Sequence, residues 1–89
     1  MLNLGYIGKS LGELKGWAID NNCIVKDVEF ENFKQGLEYV NKVAEIADKQ
    51  NHHPSVLLEY NRVRISLTTH SEGGLSEKDF NLAEEIDKI

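Results

Sequence analysis

Val56-Leu57-Leu58-Glu59-Tyr60-Asn61-Arg62-Val63-Arg64-Ile65-Ser66-Leu67-Thr68-Thr69 is the stretch that decides the fold of this 89-residue chain. Val63, Ile65 and Leu67 alternate with Arg62, Arg64, Ser66 and Thr68, the period-two pattern of a strand with one buried face. Val56-Leu57-Leu58 reads as its partner, so residues 56–69 are predicted to form a hairpin turning near Asn61.

Working upstream, Asn51-His52-His53-Pro54 holds the only proline and breaks the pattern. Before it lies a long helical run starting near Asn32, whose side chain can cap while Gln35 stands at capping-box spacing. Phe33, Leu37, Val40, Ala44 and Ala47 form one helical face, and Tyr39, Val43 and Ile46 form a second apolar row beside it. So wide an apolar arc fits either one broad core face or a core face with a subunit interface alongside. Further upstream, Trp17-Ala18-Ile19, the turn residues Asp20-Asn21-Asn22, and the spaced Ile24, Val28 and Phe30 read as another hairpin. Residues 1–16 carry Gly5, Gly8, Gly12 and Gly16, so a short or irregular first helix is expected, with Ser10 able to cap a piece through Leu14.

Downstream, Ser71 to Gly74 make a loop and Ser76 begins a last helix. Asp79 stands at its capping-box position, Leu75 is placed to staple against Phe80, and Leu82, Ala83, Ile86 and Ile89 supply a buried face. The order α-β-β-α-β-β-α, with strands joined by tight hairpins, predicts an α+β fold: a four-stranded antiparallel sheet with helices packed on one face. No repeat or low-complexity stretch divides residues 1–89, so a single domain is expected.

Fifteen acidic against ten basic residues give a formal charge of −5, which argues against direct binding of nucleic acid. Cys23 is the only cysteine, so no intrachain disulfide can form and a reducing cytoplasm fits best. The N-terminus shows neither a signal peptide nor a membrane span. A chain of this size buries only about 60 to 65% of its unfolded surface, so oligomer formation is expected to add stability. Gly8-Lys9-Ser10 looks like the end of a phosphate-binding loop, but the required earlier glycine is replaced by Asn3 and no strand precedes it.

His52 lies nine residues before Asn61 and His70 nine residues after it, so the hairpin returns His52, His53 and His70 to one end of the molecule. Whether His52 or His53 faces His70 depends on the register, because neighbouring strand residues point to opposite faces. Imidazoles both donate and accept protons near neutral pH, which suits acid–base catalysis. The bland reading is that His52 and His53 end a helix, where a cationic histidine is favoured, while His70 ends a strand. Metal binding lacks an i, i+4 histidine pair or further cysteines.

Asp48, then His52-His53-Pro54, Tyr60, His70 and Asp79 at their spacings closely resemble the motif of pterin-4a-carbinolamine dehydratases. The flanking Tyr60-Asn61-Arg62-Val63, Thr69-His70, Gly74-Leu75-Ser76-Glu77 and Asn81-Leu82-Ala83 agree, and the resemblance runs over roughly residues 16–88. It implies a lyase that dehydrates 4a-hydroxytetrahydropterin to quinonoid dihydropterin in tetrahydrobiopterin recycling, without a cofactor or metal, as a homotetramer. Carried over by the resemblance, His52, His53 and His70 are the catalytic set, and Pro54, Thr69, Ser71 and Glu72 line the substrate site. His52 and His70 would move protons while His53 holds the pterin.

Asp79 has a sufficient structural task in the capping box, and Asp48 could orient a histidine or be a solvated charge. Lys26 interrupts the apolar face of its strand without an evident role. Val56 departs from the family, which often carries an aromatic residue there that could pack near a pterin ring. Some members of the family also serve as dimerisation cofactors of a homeodomain transcription factor, so a non-enzymatic interaction module is the alternative, with Tyr39, Val43 and Ile46 as its contact row. An intact histidine set favours the enzyme.

Overall fold

The computed structural model describes residues 2–89, Met1 lying outside them. Its elements are α1 (Leu4–Gly12), β1 (Ala18–Asp20), β2 (Cys23–Glu29), α2 (Phe33–Gln50), β3 (Ser55–Glu59), β4 (Arg62–Leu67), a 3₁₀ turn (His70–Glu72) and α3 (Glu77–Ile86). The α-β-β-α-β-β-α order is therefore as expected. All three strand pairs are antiparallel, in the order β1-β2-β4-β3.

Val63, Ile65 and Leu67 on the central strand β4 are fully buried, with Ile24 of β2 beside them. The period-two pattern thus points where the alternation predicts. On the opposite face, Arg64 makes two hydrogen bonds to its cross-strand neighbour Asp27, at 2.8 and 2.9 Å. The hairpin turns at Tyr60-Asn61, between the paired Glu59 and Arg62. Strand β4 ends at Leu67, short of the predicted 69.

The second apolar row of α2 faces the sheet, joined by Val40 and Ala47 of the first. Val43 and Ala47 are 1% exposed, and Tyr39 and Ile46 pack against the core, whereas Phe33 and Leu37 are 46% and 42% exposed. The reason is close approach at Gly36. A Cβ there would stand 3.0 Å from Leu58 Cδ1 and 3.4 Å from Val63 Cγ2, so the helix rests on the sheet along its small residues Gly36 and Ala47. At 100° per residue this seat turns Phe33, Leu37 and Ala44 outward. Tyr39, Val43 and Ile46 consequently cannot form the contact row of an interaction module.

The first helix is also more regular than its glycines suggest. It starts at Leu4, capped by Asn3, whose Oδ1 accepts from the Tyr6 N–H at 2.8 Å, and Ser10 lies inside it and not at its start. Ile7 is buried, Leu11 packs against the core and Tyr6 stacks edge-on against Phe80 at 6.0 Å, so tertiary contacts override weak helix propensity. At the other end α3 stops at Ile86, leaving Ile89 44% exposed and outside the expected buried face.

Lys26 acquires a role. Its Nζ donates to Asp87 Oδ1 at 2.6 Å, the same oxygen accepts from Trp17 Nε1 at 2.9 Å, and Asp87 Oδ2 accepts from the Lys15 N–H at 2.9 Å. A basic residue on the inner face of β2 is thereby neutralised by the end of α3, and the α1–β1 connection is tied to the same carboxylate.

Candidate active site

The site begins with how α2 stops. Asn51 adopts a left-handed conformation (φ 51°, ψ 41°), its N–H donates to Asp48 O, and the His52 N–H donates to Ala47 O, both at 3.2 Å. These two bonds close the helix as a Schellman motif, and asparagine is the commonest substitute for glycine at its left-handed position. The reversal separates two adjacent histidines. His52 turns inward, its side chain 12% exposed, and His53 turns outward, its side chain 58% exposed. Pro54 then leads the chain into β3, since the residue before a proline is biased toward extended backbone.

His52 Nε2 lies 2.6 Å from Oδ1 of Asp79, a carboxylate with no solvent exposure. The other oxygen, Oδ2, accepts from Thr69 Oγ1 at 2.8 Å and from the Ser76 N–H at 2.9 Å. Asp79 therefore completes the capping box of α3 with one oxygen and holds a histidine with the other. Thr69 Oγ1 and Ser76 Oγ are 2.7 Å apart, and both residues are buried, so the carboxylate sits in a closed ring of donors. Surrounded in this way, Asp79 acts as acceptor, and the His52 ring donates from Nε2. Nδ1 is then the nitrogen that carries the lone pair of the neutral ring.

His53 is the partner of Asp48, Nε2 to Oδ1 at 2.9 Å, with both side chains more than half exposed. This pair lies at the mouth of a groove of about 160 Å³ walled by Val40, Ala44, Pro54 and Val56. Asp48 thus partners His53 and not His52, although it stands about one helical turn before both.

The β3–β4 pairing runs from Glu59↔Arg62 to Ser55↔Ser66, and continued along both chains it sets His52 opposite Thr69. That is one residue short of His70. Thr69 and Gly74 exchange N–H···O bonds of 3.0 and 3.3 Å that close the loop between them. Within the loop His70, Ser71 and Glu72 form the exposed 3₁₀ turn, which ends at Gly73 with φ 70°. His70 lines a cleft of about 290 Å³ with Asn21, Asn22, Cys23 and Thr68, while Glu72 lines a separate one with Leu2 and Ser76. All three histidines thus lie at one end of the sheet, His52 inside and His53 and His70 on different openings. The Thr69 hydroxyl is committed to Asp79 and Ser76. Tyr60, at the turn of the hairpin, is at the opposite end and 69% exposed.

Asn51 and Ser76 are parts of this arrangement that histidine spacing does not single out. Asn51 had a sequence signal, an asparagine after a periodic helix and shortly before a proline.

The model of the pterin 4 alpha carbinolamine dehydratase family matches residues 2–89. The chain belongs to this family. A protein of Sulfolobus acidocaldarius provisionally named a pterin-4-alpha-carbinolamine dehydratase is 49% identical over 83 residues, covering 93% of this chain and 91% of that protein. A protein of Chloroflexus aurantiacus with the same provisional name is 45% identical over 83 residues, covering 93% and 89%. The crystal structure of a transcriptional coactivator/pterin dehydratase from Brucella melitensis superposes with a TM-score of 0.91 at 31% identity, covering 98% of this chain and 95% of that one. The family match takes in the glycine-bearing α1 together with the residues that carry the motif. A pterin dehydratase-like protein described as a RuBisCO assembly factor in the alpha-carboxysome shares only the fold, at 17% identity and a TM-score of 0.64.

Proposed function

We propose that this member of the pterin dehydratase family dehydrates a 4a-hydroxytetrahydropterin to quinonoid dihydropterin, with histidines as the acid and base. The observation that carries the reading is the hydrogen bond between His52 and the fully buried Asp79. The reaction breaks the C4a–O bond, the hydroxyl leaving as water with a proton from an acid, while N5 gives up its proton to a base. A positioned acid and a positioned base meet that requirement. With Nε2 engaged by Asp79, His52 uses Nδ1 as base toward N5–H, and the adjacent carboxylate stabilises the imidazolium that results. His70, free on its turn, serves as the acid at the departing hydroxyl. His53 and Pro54 hold the pterin, and Ser71 and Glu72 of the 3₁₀ turn are its further contacts in this reading.

The protein works without a cofactor in this reading, in a reducing cytoplasm that suits the unpaired Cys23. The test is the rate of 4a-hydroxytetrahydropterin dehydration over buffer, for the native protein and for His52→Ala and His70→Ala. Each substitution is expected to lower kcat by about a hundredfold or more. No acceleration by the native protein, or full activity in both variants, would overturn the reading and leave a non-enzymatic role, such as the coactivator function ascribed to the Brucella protein.

A further inference from the structure

The paired register of β4 ends at Leu67, opposite Ile24 of β2, and the 3₁₀ turn begins at His70. Thr68 and Thr69 span the gap, and each is tied through its side-chain hydroxyl to a different part of the fold. Thr68 Oγ1 donates to Asn22 O at 2.7 Å, in the β1–β2 turn. Thr69 Oγ1 donates to Asp79 Oδ2 at 2.8 Å, at the start of α3. Adjacent residues of an extended chain point to opposite sides, so the two hydroxyls grip the strand end from both.

The outer anchor is itself well defined. Asp20 pairs with Cys23 across the β1–β2 turn, and Asn21 closes it with φ 57°. Asn22 also reaches the far stem of the loop, since a Cβ on the buried Gly74 would lie 3.8 Å from Asn22 Cβ and 3.9 Å from its Cγ. One turn residue thus contacts the chain just before His70 and again where the loop closes at Gly74. Within the loop, the Glu72 N–H donates to Thr69 O at 3.0 Å and the Gly73 N–H to His70 O at 3.1 Å. These bonds fix the shape of the 3₁₀ turn and leave its place relative to His52 to the anchors outside it. Among the described residues His52 and His53 each have a carboxylate partner, whereas the His70 ring has none.

We propose that Thr68 is a positioning residue for His70: by its hydrogen bond to Asn22 it fixes where the 3₁₀ turn stands relative to His52. The proposal rests on the reading of His70 as the acid of the dehydration. Proton transfer to the departing hydroxyl takes place over hydrogen-bond reach, and a displacement of about 1 Å costs up to about a hundredfold in rate.

Thr68→Val tests this, because it keeps the branched shape and removes only the hydroxyl, and Asn22 O on the exposed turn then passes to water. Urea unfolding verifies the fold of each variant. The kcat for 4a-hydroxytetrahydropterin dehydration is expected to fall about tenfold, with KM within about twofold of native, and Thr68→Ser should recover most of the loss. Since Thr68 acts through His70, Thr68→Val added to His70→Ala should lower kcat no further than His70→Ala alone. Nitrogen-15 relaxation should show lower order parameters for the amides of residues 70–73 in Thr68→Val, and native ones in Thr68→Ser. Native kcat in Thr68→Val overturns the proposal, as does a loss that Thr68→Ser does not recover or that adds to the loss in His70→Ala. Unchanged order parameters in Thr68→Val also overturn it. A native protein that does not accelerate dehydration sinks the acid reading instead, and the relaxation measurement still decides whether Thr68 holds the turn, so the two failures are distinguishable.

Discussion

His52 and Asp79, 27 residues apart in sequence, are joined Nε2 to Oδ1 at 2.6 Å, and the carboxylate that makes this bond is also the one that starts α3. Orientation of the inward histidine and integrity of the last helix therefore depend on a single side chain.

Asp79→Asn separates the two tasks. The amide can keep its oxygen toward Thr69 and Ser76 and turn its NH₂ toward His52, which forces the ring to accept at Nε2 and to carry its proton on Nδ1. Stability is expected to fall by only about 1 kcal/mol, whereas kcat should fall about a hundredfold or more because His52, the base of the proposed reaction, has the wrong tautomer. Nitrogen-15 NMR of the imidazole, compared with urea unfolding and the dehydration rate, reads all three. A variant that keeps the native tautomer and rate would show that Asp79 only caps.

Asn51 sets the direction in which His52 and His53 diverge, and its φ of 51° is the cause. Asn51→Gly should be nearly neutral in both stability and activity, since glycine enters the left-handed region freely. Asn51→Ala should cost about 1 kcal/mol or somewhat more, because a Cβ without a compensating polar group is penalised there. Its kcat should also drop, as the strain is relieved by moving His52. Thermal unfolding and kcat measured on the same preparations decide this.

Removal of the Asp87 carboxylate by Asp87→Ala leaves Lys26, Trp17 Nε1 and the Lys15 N–H without their shared acceptor. The expected loss is about 2 to 3 kcal/mol, in the range of hydrogen bonds to a charged group, with dehydration kinetics unchanged once the protein is folded. Urea denaturation gives the first number and the assay the second. Lys26→Met, which removes the charge but keeps the stem, should cost less than Asp87→Ala.

The same cluster bounds the pH range of stability. Burial alone would raise the Asp87 carboxyl, but hydrogen bonds from Lys26, the Lys15 backbone and Trp17 outweigh it and hold the group below its ordinary 3.8. Its contribution is thus present above that value and is lost as pH falls through the lower folded pKa. Tyr39 behaves oppositely: burial, helped by the charge of Asp87, pushes its phenol from 10.0 up to about 12. Its contribution is complete below 10.0 and is lost as pH rises toward about 12. Unfolding free energy followed from neutral to alkaline pH should decline in that window for the native chain and not for Tyr39→Phe.

The strand pattern of residues 62–67, the capping box of α3 and the two hairpins follow from spacing that any solvent-exposed chain must respect, so they are legible in the order of residues alone. The gathering of the histidines at one end follows from the hairpin alone. Which row of α2 faces inward does not, because two apolar rows compete and the choice turns on the contact of Gly36 with Leu58 and Val63. The regularity of α1 is hidden for a related reason: the partners of Ile7 and Leu11 lie far along the chain, and local glycine content cannot register them.

Residue order thus determines the α-β-β-α-β-β-α sequence, the family, and the end of the sheet at which His52, His53 and His70 meet, since these rest on periodicity, turns and local spacing. Packing decides the rest. Asp79 becomes a partner of His52 as well as a cap, Asp48 takes His53, and Lys26 finds Asp87, because each needs two distant segments or a reversed chain brought within hydrogen-bond reach.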